Sequence, residues 1–160
     1  MGVWGHGPTK SDHVMDFLYE VLPYVDGDVK KGIRIIPEQS NAAFGTLLDR
    51  AREGSSDHHD YVIGLCHTLM EYGWKIHELV RGEVEVPAII EEAIKDVPER
   101  GWKEPGKRLV ALRKLLHQVK GEPYGLAHLR AVNESLVDLG LATFKRGERL
   151  VVDEGFYLPK

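Results

Sequence analysis

Apolar residues recur at helical spacing along most of this chain, and the longest such stretch runs from His59 to Val80. Val62, Leu65, Cys66, Leu69, Tyr72, Gly73, Ile76, Leu79 and Val80 follow one another in steps of three and one, so all fall on one stripe of a 3.6-residue helix. Asp60, His67, Glu71, Lys75, Glu78 and Arg81 lie off that stripe. The spacing predicts a central helix over residues 59–80, roughly 30 Å long at 1.5 Å per residue. Gly73, on the apolar face, would let a neighbouring backbone approach closely. Trp74 falls on the polar side, where another part of the chain such as the N-terminal arm would cover it, or where it would stand exposed as a protein-binding anchor.

Shorter stretches flank it. Ser11 or Asp12 can cap a helix with Val14, Phe17, Leu18 and Val21 inward, ended by Pro23. Residues 29–36 read as a connector with a short strand at Ile33–Ile36. Pro37 suits an early helical position ahead of Ala43, Phe44, Leu47, Leu48 and Ala51, and Glu53–Asp57 reads as a turn. Gly82 reads as a helix stop, and Pro87 as the start of a helix through Val97. Beyond an irregular 98–105, Leu109, Val110, Leu112, Leu115, Leu116 and Val119 form a further stripe that Gly121–Gly125 breaks. Leu126, Leu129, Val132, Leu136 and Leu139 form the last, with Gly140 as its cap. Leu141–Phe144 and Arg149–Val152 flank Lys145–Glu148 as a β-hairpin. The expected fold is mainly α, a helical bundle around the long central helix with a small C-terminal β-hairpin. Its expected division is a helical domain over 1–97, a linker over 98–105 and a helix–helix–hairpin subdomain over 106–160.

Composition narrows the class. The 160 residues suffice for a buried core. No apolar run reaches the roughly 18 residues of a membrane span, and the N-terminus lacks a signal-peptide layout. A single cysteine, Cys66, on the buried stripe permits no intrachain disulfide, which makes a cytoplasmic setting the expectation. The net charge of −4 is uneven: residues 1–102 carry 10 Lys/Arg against 18 Asp/Glu, whereas 103–150 carry 10 against 5. The basic part could meet an acidic partner, or the two parts could complement each other within the fold.

The opening Met1-Gly-Val-Trp-Gly-His-Gly-Pro8 reads as an arm that pins the Trp4 indole onto the fold. Followed by Ser11-Asp12 and a helix containing Asp16-Phe17-Leu18, it resembles a bacterial family of unknown function whose members open Met-Gly-x-Trp-Gly-x-Gly-Pro. Thr9-Lys10 stands where that family has an aromatic and an acidic residue. Asp60-Tyr61, leading into the central stretch, is loosely similar too. The resemblance implies a mainly helical fold and no activity.

Candidate chemistry is sparse. His58, His59, Asp60, His67 and Glu71 contain donors that could hold a metal, His67 and Glu71 being one turn apart. The zinc-peptidase His-Glu-x-x-His, Cys-x-x-Cys, Gly-x-Ser-x-Gly and P-loop patterns are absent. Leu136-x-x-Leu-Gly-Leu-Ala142 before a basic hairpin resembles the last helix and wing of winged-helix domains. That implies phosphate contacts from Lys145, Arg146 and Arg149, with Arg130 and Asn133 on the presented helix. Glu134 and Asp138 share that face and repel phosphate, so the hairpin could equally be a lid or protein-docking surface. The leading expectation is a non-enzymatic binding or regulatory protein acting through protein contacts, with Trp74 as an anchor and no cofactor. Nucleic-acid binding through the hairpin and a metal-dependent hydrolase are the alternatives.

Overall fold

The computed structural model describes residues 7–9, 11–22, 36, 38–54, 59–123, 125–141, 151–153 and 156–157. Among these are six α-helices: α1 (Asp12–Val21), α2 (Asn41–Gly54), α3 (Asp60–Glu71), α4 (Val80–Asp96), α5 (Pro105–Lys120) and α6 (Leu126–Asp138). The fold is mainly helical, as the periodicity predicts. Helix α3 packs against α1, α2 and α4, α4 lies along α5, and α6 sits on α5. The stripes of α1 and α5 are buried as spaced: Val14, Phe17, Leu18 and Val21, then Leu109 through Val119. One hydrophobic core runs from Val14 to Leu136, across the stretch at which the sequence places a boundary.

The central stretch is not one helix. It is α3, a sharp turn, a 3₁₀ turn over Ile76–Glu78 and the start of α4. Gly73 adopts φ +93°, in the left-handed region that glycine enters without a Cβ penalty. Its N–H donates to the Met70 carbonyl, and the Trp74 N–H donates to that of Leu69, each at 3.0 Å. This is a Schellman stop, with the apolar residues Leu69 and Trp74 placed where such a stop pairs them. The cause is Trp74. Continuing the helix would leave its indole on the polar face, whereas the turn takes it to 7% exposure against Phe44. Burying an indole is worth about 4 kcal/mol, more than the few tenths per residue gained by extending a helix.

Gly82 exchanges roles with Gly73. It lies inside α4, where a Cβ would sit 2.4 Å from the Ile76 carbonyl oxygen. The glycine expected to stop a helix thus admits a backbone, and the one expected to admit a backbone stops a helix. Helix α4 also runs through Pro87 instead of starting there. The carbonyl left without a partner is that of Glu83, an exposed residue, where water can serve it.

Other boundaries shift less. Ser40 stands immediately before α2, and its Oγ accepts the Ala43 N–H at 3.1 Å, an N-cap interaction; Pro37 lies outside the described residues. Gly140 caps α6 as expected, with the Leu141 N–H donating to the Leu136 carbonyl at 2.8 Å. The expected strand at Ile33–Ile36 and the Trp4 arm fall almost wholly outside the described residues. The expected hairpin about Lys145–Glu148 is not supported, since 142–150 lie outside them too; the pairing described is Val151–Asp153 with Phe156–Tyr157, antiparallel.

The two glycines should respond differently to a methyl group. Gly82→Ala pushes Cβ into a backbone carbonyl and should be the more damaging. Gly73→Ala should cost about 1–2 kcal/mol, the penalty for a left-handed non-glycine residue. Urea unfolding of both variants measures the order.

Candidate functional site

The outer face of α4 carries the two most exposed large apolar side chains among the described residues. Val80 and Val84, one turn apart, are 67% and 76% exposed, and exposed Ala88 continues the stripe by another turn. They border a groove of about 590 Å³ whose lining includes Ile89, on the core side of the same helix. The opposite face of α4 supplies Val86, Ile89, Ile90, Ala93 and Ile94 to the core, so the helix is held without the outer stripe.

An ion network sets the wall toward α2. Arg81 donates through Nη1 to the Gly45 carbonyl at 3.1 Å and lies 2.8 Å from Asp49 Oδ1, while its Nε donates to Glu85 at 3.1 Å. Glu85 also pairs with Arg52 from α2. The Asn41 side chain accepts the Val80 N–H at 3.0 Å. Helix α4 is therefore tied to α2 at its first turns, and the basic side chains of the groove are already neutralised.

His59 closes the groove's far end. It is the non-glycine residue with positive φ (54°) among those described, immediately before α3, a conformation histidine tolerates better than branched residues. Its Nε2 is 3.2 Å from Glu92 Oε2. Its Nδ1 is buried without a hydrogen-bond partner among the described residues.

Among the described residues the expected metal ligands do not converge. No group of three or more His, Cys, Asp or Glu among the described residues could hold a metal ion. His58 lies outside them, and His67 contacts Glu71 at 3.0 Å. Asp60 is committed elsewhere: Arg100 Nη1 donates to both its oxygens at 2.9 Å, and Arg108 Nη2 lies 3.5 Å from Oδ1. Arg108, only 3% exposed, also donates to the Gly7 carbonyl at 3.0 Å, and its guanidinium stacks 4.4 Å from the Trp102 ring centre. Burial lowers its pKa to about 10 against the opposing pull of Asp60, which leaves it charged at neutral pH. Cys66 is wholly buried and its thiol is pushed up to about 12 by desolvation, so it is no nucleophile.

Trp74 is covered by the rest of the fold and lies in the core, so the alternative reading of it as an exposed anchor fails. Of the nucleic-acid candidates, Lys145, Arg146 and Arg149 lie outside the described residues. Arg130 is exposed on α6, and Asn133 is half-buried with its amide oxygen enclosed. The open stripe of α4 was legible as Val80, Val84 and Ala88 at i, i+4 and i+8. Treating Val80 as the end of a central helix concealed it.

Removing the Asp60 carboxylate would take away the anion that Arg100 and the buried Arg108 share. Asp60→Ala should cost about 3 kcal/mol or more in urea unfolding, a loss that zinc or manganese does not restore.

No family model matches the chain, and no curated protein or solved structure matches it either.

Proposed function

We propose that this chain is a non-enzymatic protein-binding module that takes a basic amphipathic helix of a partner protein against the outer face of α4. The observation that carries it is the exposure of Val80 and Val84, successive apolar steps beside a groove. Charge selects the partner. Exposed Glu78, Glu83, Glu91 and Glu92 on or just before α4 outnumber exposed Lys75 and Lys95, and Arg52 and Arg81 are already paired. An apolar stripe edged by lysine or arginine complements this face. The N-terminal resemblance to the Met-Gly-x-Trp-Gly family belongs to the same proposal, and the Gly7–Arg108 bond gives that opening a structural role.

A fluorescence-anisotropy titration tests it with two designed helical peptides, one with leucine opposite lysine and one with leucine opposite glutamate. The basic peptide should bind, more weakly as salt rises, and the acidic one should not. A Val80→Asp/Val84→Asp variant should bind at least about tenfold more weakly with its melting temperature preserved, since both residues are solvent-facing at a helix N-terminus that favours acidic side chains. Equal binding by the variant, or none by the wild type, overturns the proposal.

One observation favours nucleic acid as a second function: Arg130 stands exposed on α6 within the basic 103–150 part. Here 106–160 would act as a winged-helix-like unit, with Lys145, Arg146 and Arg149 on phosphate. Against it, the outer face of α6 also carries exposed Leu126, Glu134, Val137 and Asp138. A gel shift with duplex and single-stranded DNA decides. Binding that falls steeply with salt and disappears in a Lys145/Arg146/Arg149 triple-alanine variant supports it; no shift at low salt ends it.

A further inference from the structure

The left-handed residue ahead of α3 works against stability in three ways. His59 has φ 54° and ψ 30°, a conformation that glycine enters freely and a side chain makes costly. It occupies the N-cap of α3, yet its side chain makes none of the capping bonds that Ser, Thr, Asp or Asn would supply there. Its Nδ1 is enclosed without a hydrogen-bond partner among the described residues. Against these stands one contact, between Nε2 and Glu92 Oε2 at 3.2 Å. The Glu92 side chain is 67% exposed, and a contact of that kind adds little to stability. A chain that needed only a left-handed corner would be served by glycine. What histidine adds is reach, from the start of α3 across to α4, and costs that stability does not explain collect at functional sites.

That reach ends in the α4 groove, which His59 and Glu92 both line. We infer, on the basis of the basic-helix reading of that groove, that His59 is a positioning residue: it holds the Glu92 carboxylate in place to receive a lysine or arginine of the docked helix. Charge within the groove singles out Glu92. Arg81 and Arg52 both pair with Glu85, and Arg81 also lies against Asp49. Glu92 meets no Lys or Arg among the described residues, and its contact is with the imidazole. A carboxylate accepts and does not donate, so Nε2 carries the hydrogen of that contact. A neutral imidazole donating it orients the carboxylate without cancelling its charge, and leaves most of its acceptor capacity for a second donor.

An exposed glutamate has several freely turning bonds. Holding it before the partner arrives removes part of the ordering cost that association would otherwise meet. The placement also orders the partner's own sequence. Ala88 is the small step of the stripe Val80, Val84, Ala88, and Glu92 follows it at the same spacing, one turn nearer the C-terminal end of α4. A helix lying along α4 sets a large apolar side chain over Ala88 and its basic residue one turn away, three or four positions from the first.

Anisotropy titrations of the basic leucine–lysine peptide against the full chain, two single variants and their double decide this. Glu92→Gln should weaken binding by about fivefold and flatten its dependence on salt. Asparagine tolerates the left-handed backbone but ends near the position of Nδ1, short of Glu92. His59→Asn should therefore weaken binding by about threefold while the melting temperature moves by less than about 2 °C. Because His59 acts through Glu92, the double variant should bind as Glu92→Gln alone does. A purely structural His59 would instead lower the melting temperature, or give losses that multiply in the double. His59→Gly, at a backbone position glycine accepts, replaces His59→Asn in the cycle if the latter fails to fold. Full binding by either single variant, or multiplying losses, overturns the inference while the groove keeps its proposed role. Failure of the wild type to bind the peptide overturns both.

Discussion

The corner between α3 and α4 governs the arrangement of everything after it. Gly73 stops α3 by turning left-handed, Trp74 drops into the core against Phe44, and Gly82 lets α4 pass within contact of the Ile76 carbonyl. Each step depends on the one before. Without the stop, Trp74 stays outside; without the burial of Trp74, nothing offsets the break in the helix. A side chain at Gly82 would move α4 away from the 3₁₀ turn that the corner has placed. Fixed this way, α4 lies along α5 with its outer face toward solvent, and the same 3₁₀ turn carries His77 to the end of α5. The outward face of α4 and the contact of His77 with the end of α5 are both products of one reversal of the chain.

A second tie works at the opposite end of α3. Asp60, in its first turn, receives Arg100 and Arg108 from the chain on either side of Trp102, and Arg108 reaches on to the Gly7 carbonyl. Residues far apart in sequence are thereby pinned to one carboxylate. A buried ion cluster of this kind gains little over well-packed apolar residues, but removing one member leaves the others uncompensated. Its contribution is to fix which segments meet. It also bears on the metal question for Asp60 in physical terms: two guanidinium cations already lie against the carboxylate, and a metal cation there would meet their repulsion.

Much of the helical layout could be read from spacing alone, and the exceptions share one cause. Buried stripes in α1 and α5 follow their predicted residues because each helix has one apolar face and a clear end. Around residue 73 the periodicity continued unbroken through a glycine, and the count of matching positions hid the one residue that did not match, Trp74. A glycine followed at once by a large apolar residue, after an apolar residue four positions earlier, is the signature of a Schellman stop. Periodicity reports which residues face inward and says nothing of whether the backbone between them stays helical. The polar clusters were invisible for a different reason: Asp60 with Arg100 and Arg108, or His117 with His128, become neighbours only through the packing of separate helices.

The open stripe on α4 has an energetic logic that separates it from ordinary surface apolarity. Isolated exposed valines are common and need no explanation. Here Val80 and Val84 sit in a helix already secured by five core residues on its other face, so they are not needed to hold it. As β-branched residues they form helix less readily than alanine or glutamate would, by a few tenths of a kcal/mol each, and they bury little in return. Alanine does stand at the next step, Ala88, which lines the groove together with Ile89. Stability of the isolated chain thus runs against the valines, while complementarity to a second apolar surface runs with them. That opposition is what favours a docking role for this face as proposed, and the acidic border around the valines is why the proposed partner is basic.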